Sequence, residues 1–387
     1  MAANVAKGIY QAPTGLAGLQ DQLDDTIEVE IAPDTPGEEA QLDPAVVASL
    51  MAKSAAPKHT DNLAEQLDDG VLAQMYSDLK ELYDADLRSR KDWERIYRRG
   101  LELLGLKDEE RTEPWDGASG VVHPILSEAV VRFQSENITE TFPAVGPVRT
   151  RVIGRSDPVK DKAAVRVQED MNWRLTQQMP EYRTEHERML FNLPIAGSAF
   201  KKVYHDALLG RQVSRFVPAE DFVISYGASD LVTAERYSCR MRYTENEINA
   251  AIAAGFYRDV EIGTPGRRKD ELQDAKDKQT GMANLDDDRY EFVEMHVDIA
   301  DYSLGAEENG VEVAQPYVVT MNLETDKIMS VYRNWDENDP KRIKKQHFVH
   351  YSYVPGFGFY GFGLLHLVGR HARAATALRR KMIDAGT

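Results

Sequence analysis

The sequence predicts an α+β fold, because helical patterns dominate its first half and strand patterns its second half. Apolar residues recur every three or four positions from residue 72 to about residue 193, as on one face of a helix. From residue 197 the pattern changes to short runs of β-branched and aromatic residues separated by turns. Helices and strands that are segregated along a chain favour an α+β domain over a doubly wound sheet.

The helices are delimited by capping residues and prolines. Asp157 precedes Pro158, which places a capping side chain before a proline at the first helical position. Pro180 interrupts the next helical run, because proline lacks the amide that a helix interior needs. The helices expected before the first strand cover 72–104, 124–142, 158–178 and 181–193.

The strands begin with a hairpin, in which 197–206 and 211–218 are joined by Ala-Leu-Leu-Gly. We expect 220–225 and 233–243 to continue the same sheet. Thr244 and Glu247 form a capping box that opens a short helix, which Gly255 closes. The later strands are expected at 290–304, 316–324, 327–335 and 346–354.

Two segments are predicted to lack stable structure. Residues 1–60 contain nine acidic residues, three lysines and no sustained apolar period, so we predict a disordered acidic arm. Residues 260–288 are charged, contain few aromatic residues and are predicted to form a mobile insertion.

Composition limits the possible functions. The net charge is −17, whereas a sequence-specific DNA-binding protein usually carries a basic face. No apolar run is long enough for a transmembrane helix, so we predict no membrane association. A single cysteine, Cys239, excludes an internal disulfide framework and fits a reducing compartment. We find no nucleophile, base or metal-ligand motif, and we predict no catalytic residue, cofactor or metal.

A glycine-rich segment after the last strand allows two interpretations. Gly356, Gly358 and Gly361 match the G-x-G-x-x-G pattern of dinucleotide-binding loops, which would make the chain a nucleotide-dependent enzyme. The strand before them is polar, however, and bulky aromatic residues occupy the intervening positions. We therefore predict a flexible hinge, built from these three glycines and Gly363, between a strand and a long helix.

The final helix, expected over 364–385, has an apolar face and a basic face. The basic face carries Arg370, Arg373 and Arg380 and is either solvated or a contact for a neighbouring subunit or for DNA. The apolar face is predicted to contain Leu364, Val368, Ala372, Ala375, Leu378 and Met382.

Three segments resemble the portal proteins of tailed bacteriophages of the podovirus type. EPWDGASGVVHPILSEAVVRFQSE (113–136) resembles the family's entry into its N-terminal helix. VPAEDFVISYGASDLVTAERYSCRMRYTENEI (217–248) resembles its Pro-x-Asp-Phe strand and the following turn. HYSYVPGFGFYGFGLLHLVGRHARAATALRRKMIDAGT (350–387) resembles its glycine-aromatic corner and long helix.

This resemblance implies a structural, non-enzymatic subunit of a ring at one capsid vertex, usually a homo-oligomer of twelve copies. Viral double-stranded DNA would pass through the ring without sequence specificity. The implied partners are the terminase large subunit, a head–tail adaptor, and the major capsid and scaffold proteins. The subunit would assemble in the host cytoplasm and reside in the virion.

The resemblance also implies a domain arrangement. Residues 61–259 would be a wing-like helical and β region, 260–353 a clip-like β region, and 354–387 the corner and a stem-like helix. Members of the family continue into a tunnel loop and crown, so we expect the sequence to be a fragment. Another virion adaptor or minor capsid protein is the main alternative from a different class.

Overall fold

The computed structural model describes residues 58–106, 115–206, 209–265, 271–281, 289–302, 304–308 and 311–386. The prediction of a disordered arm concerns residues 1–60, of which 1–57 lie outside the described residues. Residues 58 and 59 contact the body of the protein, because the Arg333 guanidinium donates to their two carbonyl oxygens.

The first half of the described chain is helical, as predicted. Its helices are α1 (Asp69–Ser89), α2 (Lys91–Leu101), α3 (Ile125–Thr141), α4 (Pro158–Trp173) and α5 (Glu181–Ala196). The pattern predicted as one helix over 72–104 divides at Arg90, whose backbone leaves the helical region with φ −99° and ψ 3°. The Asp157 side chain caps α4 by accepting from the Val159 amide, which confirms the predicted start.

Helix α5 continues beyond its predicted end at residue 193. Pro194 lies inside the last turn, and the helix ends at Gly197, whose φ of 86° is the left-handed cap conformation. The Gly197 amide donates to Leu193 O at 2.9 Å. Pro194, Ile195 and Ala196 are all buried. Their burial offsets the one backbone hydrogen bond that a proline removes.

The second half contains antiparallel strands and three more helices. The strands are β1 (Ser198–Asp206), β2 (Arg211–Pro218), β3 (Phe222–Val223), β4 (Arg236–Tyr243), β5 (Tyr290–Ile299), β6 (Ala306–Glu308), β7 (Val311–Val313), β8 (Gln315–Asn322), β9 (Lys327–Arg333) and β10 (Phe348–Ser352). The helices are α6 (Glu245–Ala253), α7 (Glu271–Thr280) and α8 (Leu364–Gly386). The prediction of an α+β fold is confirmed.

The strands form separate sheets rather than the single continued sheet that the sequence suggested. One sheet has the order β10-β1-β2, a second has the order β3-β4-β5-β8-β9, and β6 pairs with β7. The prediction that 220–225 and 233–243 extend the first hairpin is therefore wrong. The register pairs Phe200 of β1 with His350 and with Val217, so an aromatic face of the small sheet points into the core.

The predicted division at residues 259 and 260 does not separate two compact units. Strand β4 pairs with β5, and β1 pairs with β10, across that boundary. Residues 57–387 form one unit. Part of the predicted mobile insertion at 260–288 is also structured, because α7 places Leu272 in the same hydrophobic cluster as Trp93 of α2. None of the described helices is both long enough and apolar enough to cross a membrane.

Candidate functional site

The predicted glycine corner, residues 354–363, connects the edge strand β10 to helix α8. Its two ends are joined by a bridge in which the Phe362 amide donates to Val354 O at 2.7 Å. The corner packs against the end of α5, since the Tyr353 amide donates to Gly197 O at 3.0 Å. The end of the sheet, the end of α5 and the start of α8 thus meet at one place.

Glycine is required in this corner because neighbouring atoms leave no room for a Cβ atom, not because the backbone adopts a left-handed conformation. A Cβ atom on Gly361 would lie 2.4 Å from Gly197 O, and one on Gly363 would lie 2.3 Å from Ile195 O. Equivalent atoms on Gly356 and Gly358 would lie within 2.6 Å of neighbouring atoms. None of these four glycines has a positive φ. The corner is therefore a tightly packed junction, which differs from the flexible hinge that the sequence suggested.

Aromatic rings fill the space beneath the corner. Phe359 and Tyr360 are buried, and the Phe359 ring stacks on His350 with centroids 4.6 Å apart. Tyr360 stacks on Trp93 of α2 at 4.7 Å. Phe359 and Tyr360 are thus core residues that hold the corner against α2 and the small sheet, whereas Phe357, between Gly356 and Gly358, is 97% exposed.

Arg90 fixes the corner from the other side, a role that no sequence pattern predicted. Its guanidinium is fully buried and donates to the backbone oxygens of Ala219, Glu220 and Phe222 at 3.1, 2.6 and 2.6 Å. It also donates to the Tyr360 hydroxyl at 3.2 Å. A charged residue in a helical pattern is usually a surface residue, so only the fold shows that Arg90 fills the gap between α1 and α2.

The corner does not have the geometry of a dinucleotide-binding loop. Strand β10 is an antiparallel edge strand, not part of a parallel βαβ unit. The loop amides, which would have to face a phosphate, donate inside the protein: Gly361 N to Ser198 Oγ at 2.8 Å, and Phe359 N to Tyr226 O at 3.0 Å. The interpretation of the G-x-G-x-x-G match as a corner is the one that this geometry supports.

Helix α8 is anchored along one face by the segment that precedes α3. The Thr376 hydroxyl accepts from the His123 amide at 3.1 Å, and Asp384 Oδ1 accepts from the Ser119 amide at 2.7 Å. The Arg380 guanidinium donates to Val121 O at 2.9 Å. The buried residues of this anchored face are Leu365, Gly369, Ala372 and Thr376.

The apolar face predicted for α8 is largely not the buried one. Of its six members only Ala372 is buried, while Leu378 and Met382 are 64% and 77% exposed. The helix instead has two apolar faces, roughly 110° apart at 100° per residue. We refer to the more exposed one as the α8 stripe, which consists of Leu364, Val368, His371, Ala375, Leu378 and Met382. Within it Leu364 and Ala375 are half-buried, and Leu364 packs against the core.

The three arginines predicted as a contact have different environments. Arg370 and Arg373 are exposed, so they remain candidates for an external contact. Arg380 is partly buried and holds the segment before α3, so its role within the subunit is structural. Arg379 and Lys381, which were not singled out from the sequence, are exposed and add to the basic character of α8.

A buried polar network joins the two larger sheets. Lys202 of β1 donates to Glu294 of β5 at 2.6 Å, and the other Glu294 oxygen bonds to His296 at 3.0 Å. Burial by itself would raise the pKa of Glu294, but Lys202 and His296 together outweigh this effect and the pKa is lowered. Burial and the adjacent His296 lower the pKa of His347 to about 4. This network fixes the relative position of the sheets and has no exposed reacting group.

Comparison with known proteins gives no relative from which to transfer a function. No protein-family model matches the chain, and no curated protein matches it.

Proposed function

We propose that the chain is a structural subunit of a portal-like ring at one vertex of a viral capsid. Viral double-stranded DNA would be packaged and later ejected through the ring. In this assembly the ring contacts the major capsid and scaffold proteins and serves as the docking platform for the terminase large subunit and the head–tail adaptor. The subunit acts by shape and charge and performs no catalysis.

The observation that carries this proposal is that the three resembling segments meet in space. The Tyr360 hydroxyl, from the third segment, donates to Phe222 O at 3.0 Å and accepts from the Ile224 amide, both in the second segment. Helix α8, also from the third segment, holds the first segment through His123 and Val121. Segments about a hundred residues apart thus build one junction, which favours a shared origin over three chance matches.

Charge and exposure also support an assembling conduit. The chain carries a net charge of −17, and acidic walls repel DNA phosphates and so limit adhesion during passage. The α8 stripe leaves Leu378 and Met382 exposed at the surface of the subunit. Exposed apolar rows on one helix are typical of surfaces that become buried when subunits associate.

Negative-stain imaging of the purified full chain tests the proposal. We expect closed rings with a central hole wide enough for duplex DNA. A uniform population of monomers at micromolar concentration would contradict it, as would open filaments, because their contacts do not close. A ring that retains terminase in a pull-down, but does not retain it after the ring is dissociated, would support the portal role over that of another virion adaptor.

A further inference from the structure

The α8 stripe has the spacing of a helix–helix seam. Its members follow one another at intervals of four, three, four, three and four residues, the spacing of a heptad seam. It spans about 27 Å at 1.5 Å per residue. Leu378 and Met382 are among the most exposed large apolar side chains of the described residues. Most contacts of α8 within the subunit are made by its anchored face, so the exposed members of the stripe, Val368, His371, Leu378 and Met382, are available to another molecule.

The charges beside the stripe argue against pairing of α8 with α8. Lys381 and, further round the helix, Arg370 lie on one side of the stripe, and Arg379 lies on the other. Two copies of this helix would bring cations together on both edges, which destabilises a helix pair. The surface that covers the stripe should therefore be acidic as well as partly apolar. Because the rest of the chain is strongly acidic, a different surface of a second copy fits this requirement.

The outer side of α3 has this composition. Ile125 is 44% exposed there, beside the exposed carboxylates of Glu128, Glu136 and Glu140. We refer to these four residues as the acidic α3 face. The face spans about 22 Å, close to the length of the stripe. Arg132, the basic residue on the same side of α3, is paired with Glu136. On the opposite side of α3, Leu126 and Val130 are buried in the core.

Helix α4 offers a comparison within the same chain. It also exposes apolar side chains, including Val159 at 71%, and none of its residues is buried. Its charges balance, because three basic and three acidic residues lie between 158 and 173. It therefore lacks the negative field that would favour the basic edges of the stripe, and it provides matched control positions.

We propose that the α8 stripe of one copy packs on the acidic α3 face of the next copy. The inference rests on the proposed function and assigns the subunit interface of that ring. Because the two surfaces differ, the contact is heterologous, and repetition of such a contact closes into a ring when the rotation allows it. Within each subunit, the segment before α3 contacts α8 on its anchored side, so helices α3 and α8 alternate around the assembly.

Photo-cross-linking identifies the covering surface without assuming a register. Benzoylphenylalanine is placed at Leu378 in the full chain, and copies labelled with light and heavy nitrogen are mixed before irradiation. We expect cross-linked peptides that join residue 378 of one copy to residues 125–140 of another. The same group at Val159 should give no such product. Cross-links between two α8 helices, or none to residues 125–140, would overturn the proposal.

Charge reversal gives an independent test. We expect R370E/K381E to weaken association at least about tenfold, since two favourable pairs become repulsive. Adding E128K/E140K should restore association to within about threefold of the wild type. The control, K160E/R166E on α4, makes the same change in net charge and should have little effect. Equal weakening in the control, or no restoration, would contradict the interface.

The outcomes separate the interface from the ring itself. If the chain forms rings but residue 378 cross-links to a different surface, the proposed function is still supported and the proposed interface is wrong. A monomeric full chain would remove both. If residue 378 cross-links to duplex DNA and both charge variants assemble normally, α8 binds nucleic acid instead, and the proposal is wrong.

Discussion

Replacing Arg90 by methionine should cost about 3 kcal/mol of unfolding free energy, because it removes the donors that fix the corner. The methionine side chain is unbranched and follows the arginine stem as far as Nε, so the packing of the stem is largely retained while the guanidinium is removed. Glu220 O keeps a second donor from Arg240 at 2.8 Å, and Phe222 O keeps one from Tyr360. Ala219 O retains no second side-chain donor among the described contacts.

Because two of the three carbonyl oxygens keep a hydrogen-bond donor, the expected loss of unfolding free energy lies near the lower end of the roughly 3–5 kcal/mol that breaking a buried ion pair costs. Glu94, the carboxylate paired with Arg90 at 2.7 Å, is 28% exposed and becomes hydrated rather than stranded. Urea denaturation followed by tryptophan fluorescence measures the change, since Trp93 stacks on Tyr360 beside the site. R373M, on the exposed side of α8, is the control and should shift stability by less than about 0.5 kcal/mol. A loss below about 1 kcal/mol in R90M would refute the view that Arg90 fixes the corner.

Three further predictions follow from the same structure. G361A should lower the melting temperature by several degrees, because the added Cβ would meet backbone atoms that cannot move aside. The control G227A, whose added Cβ would face open space, should leave the melting temperature unchanged. Equal effects of the two substitutions would contradict the close-packed corner. R380A should cost about 1 kcal/mol in urea denaturation and R373A almost nothing, and a reversed order would contradict the roles assigned to them. The pKa of His347 is lowered from its ordinary value of 6.5 to about 4. Between pH 6.5 and about pH 4 the unfolded chain therefore binds more protons than the folded one, so the free energy of unfolding falls as the pH drops through this range. H347Q should reduce this loss, and an unchanged pH profile of unfolding would argue against the buried neutral imidazole.

Much of the local structure follows from local sequence signals. Asp157 and Pro158 start α4 as expected, and the capping box of Thr244 and Glu247 is formed by both of its reciprocal hydrogen bonds. The first hairpin pairs in the register that its alternating pattern requires. Each of these features depends on residues within a few positions of one another, so the sequence contains the information directly.

The remaining features depend on long-range packing. The break between α1 and α2 exists because Arg90 reaches carbonyl oxygens some 130 residues away, which no local pattern reports. The division into sheets depends on β4 pairing with β5 rather than with the hairpin. Helix α8 has two apolar faces, and periodicity alone cannot tell which one meets the core. Five of the six residues predicted for the apolar face of α8 lie on the α8 stripe, and only Ala372 lies on the buried face.

The central claim is that this chain is a ring-forming structural subunit, and the mass distribution of the purified full chain in solution tests it most directly. Mass photometry over a range of protein concentrations should show one dominant closed species. Its mass should be a fixed whole-number multiple of the subunit mass, twelve for the ring that the resemblance implies, with little intermediate population. A distribution that stays monomeric, or that grows continuously with concentration, would contradict the claim.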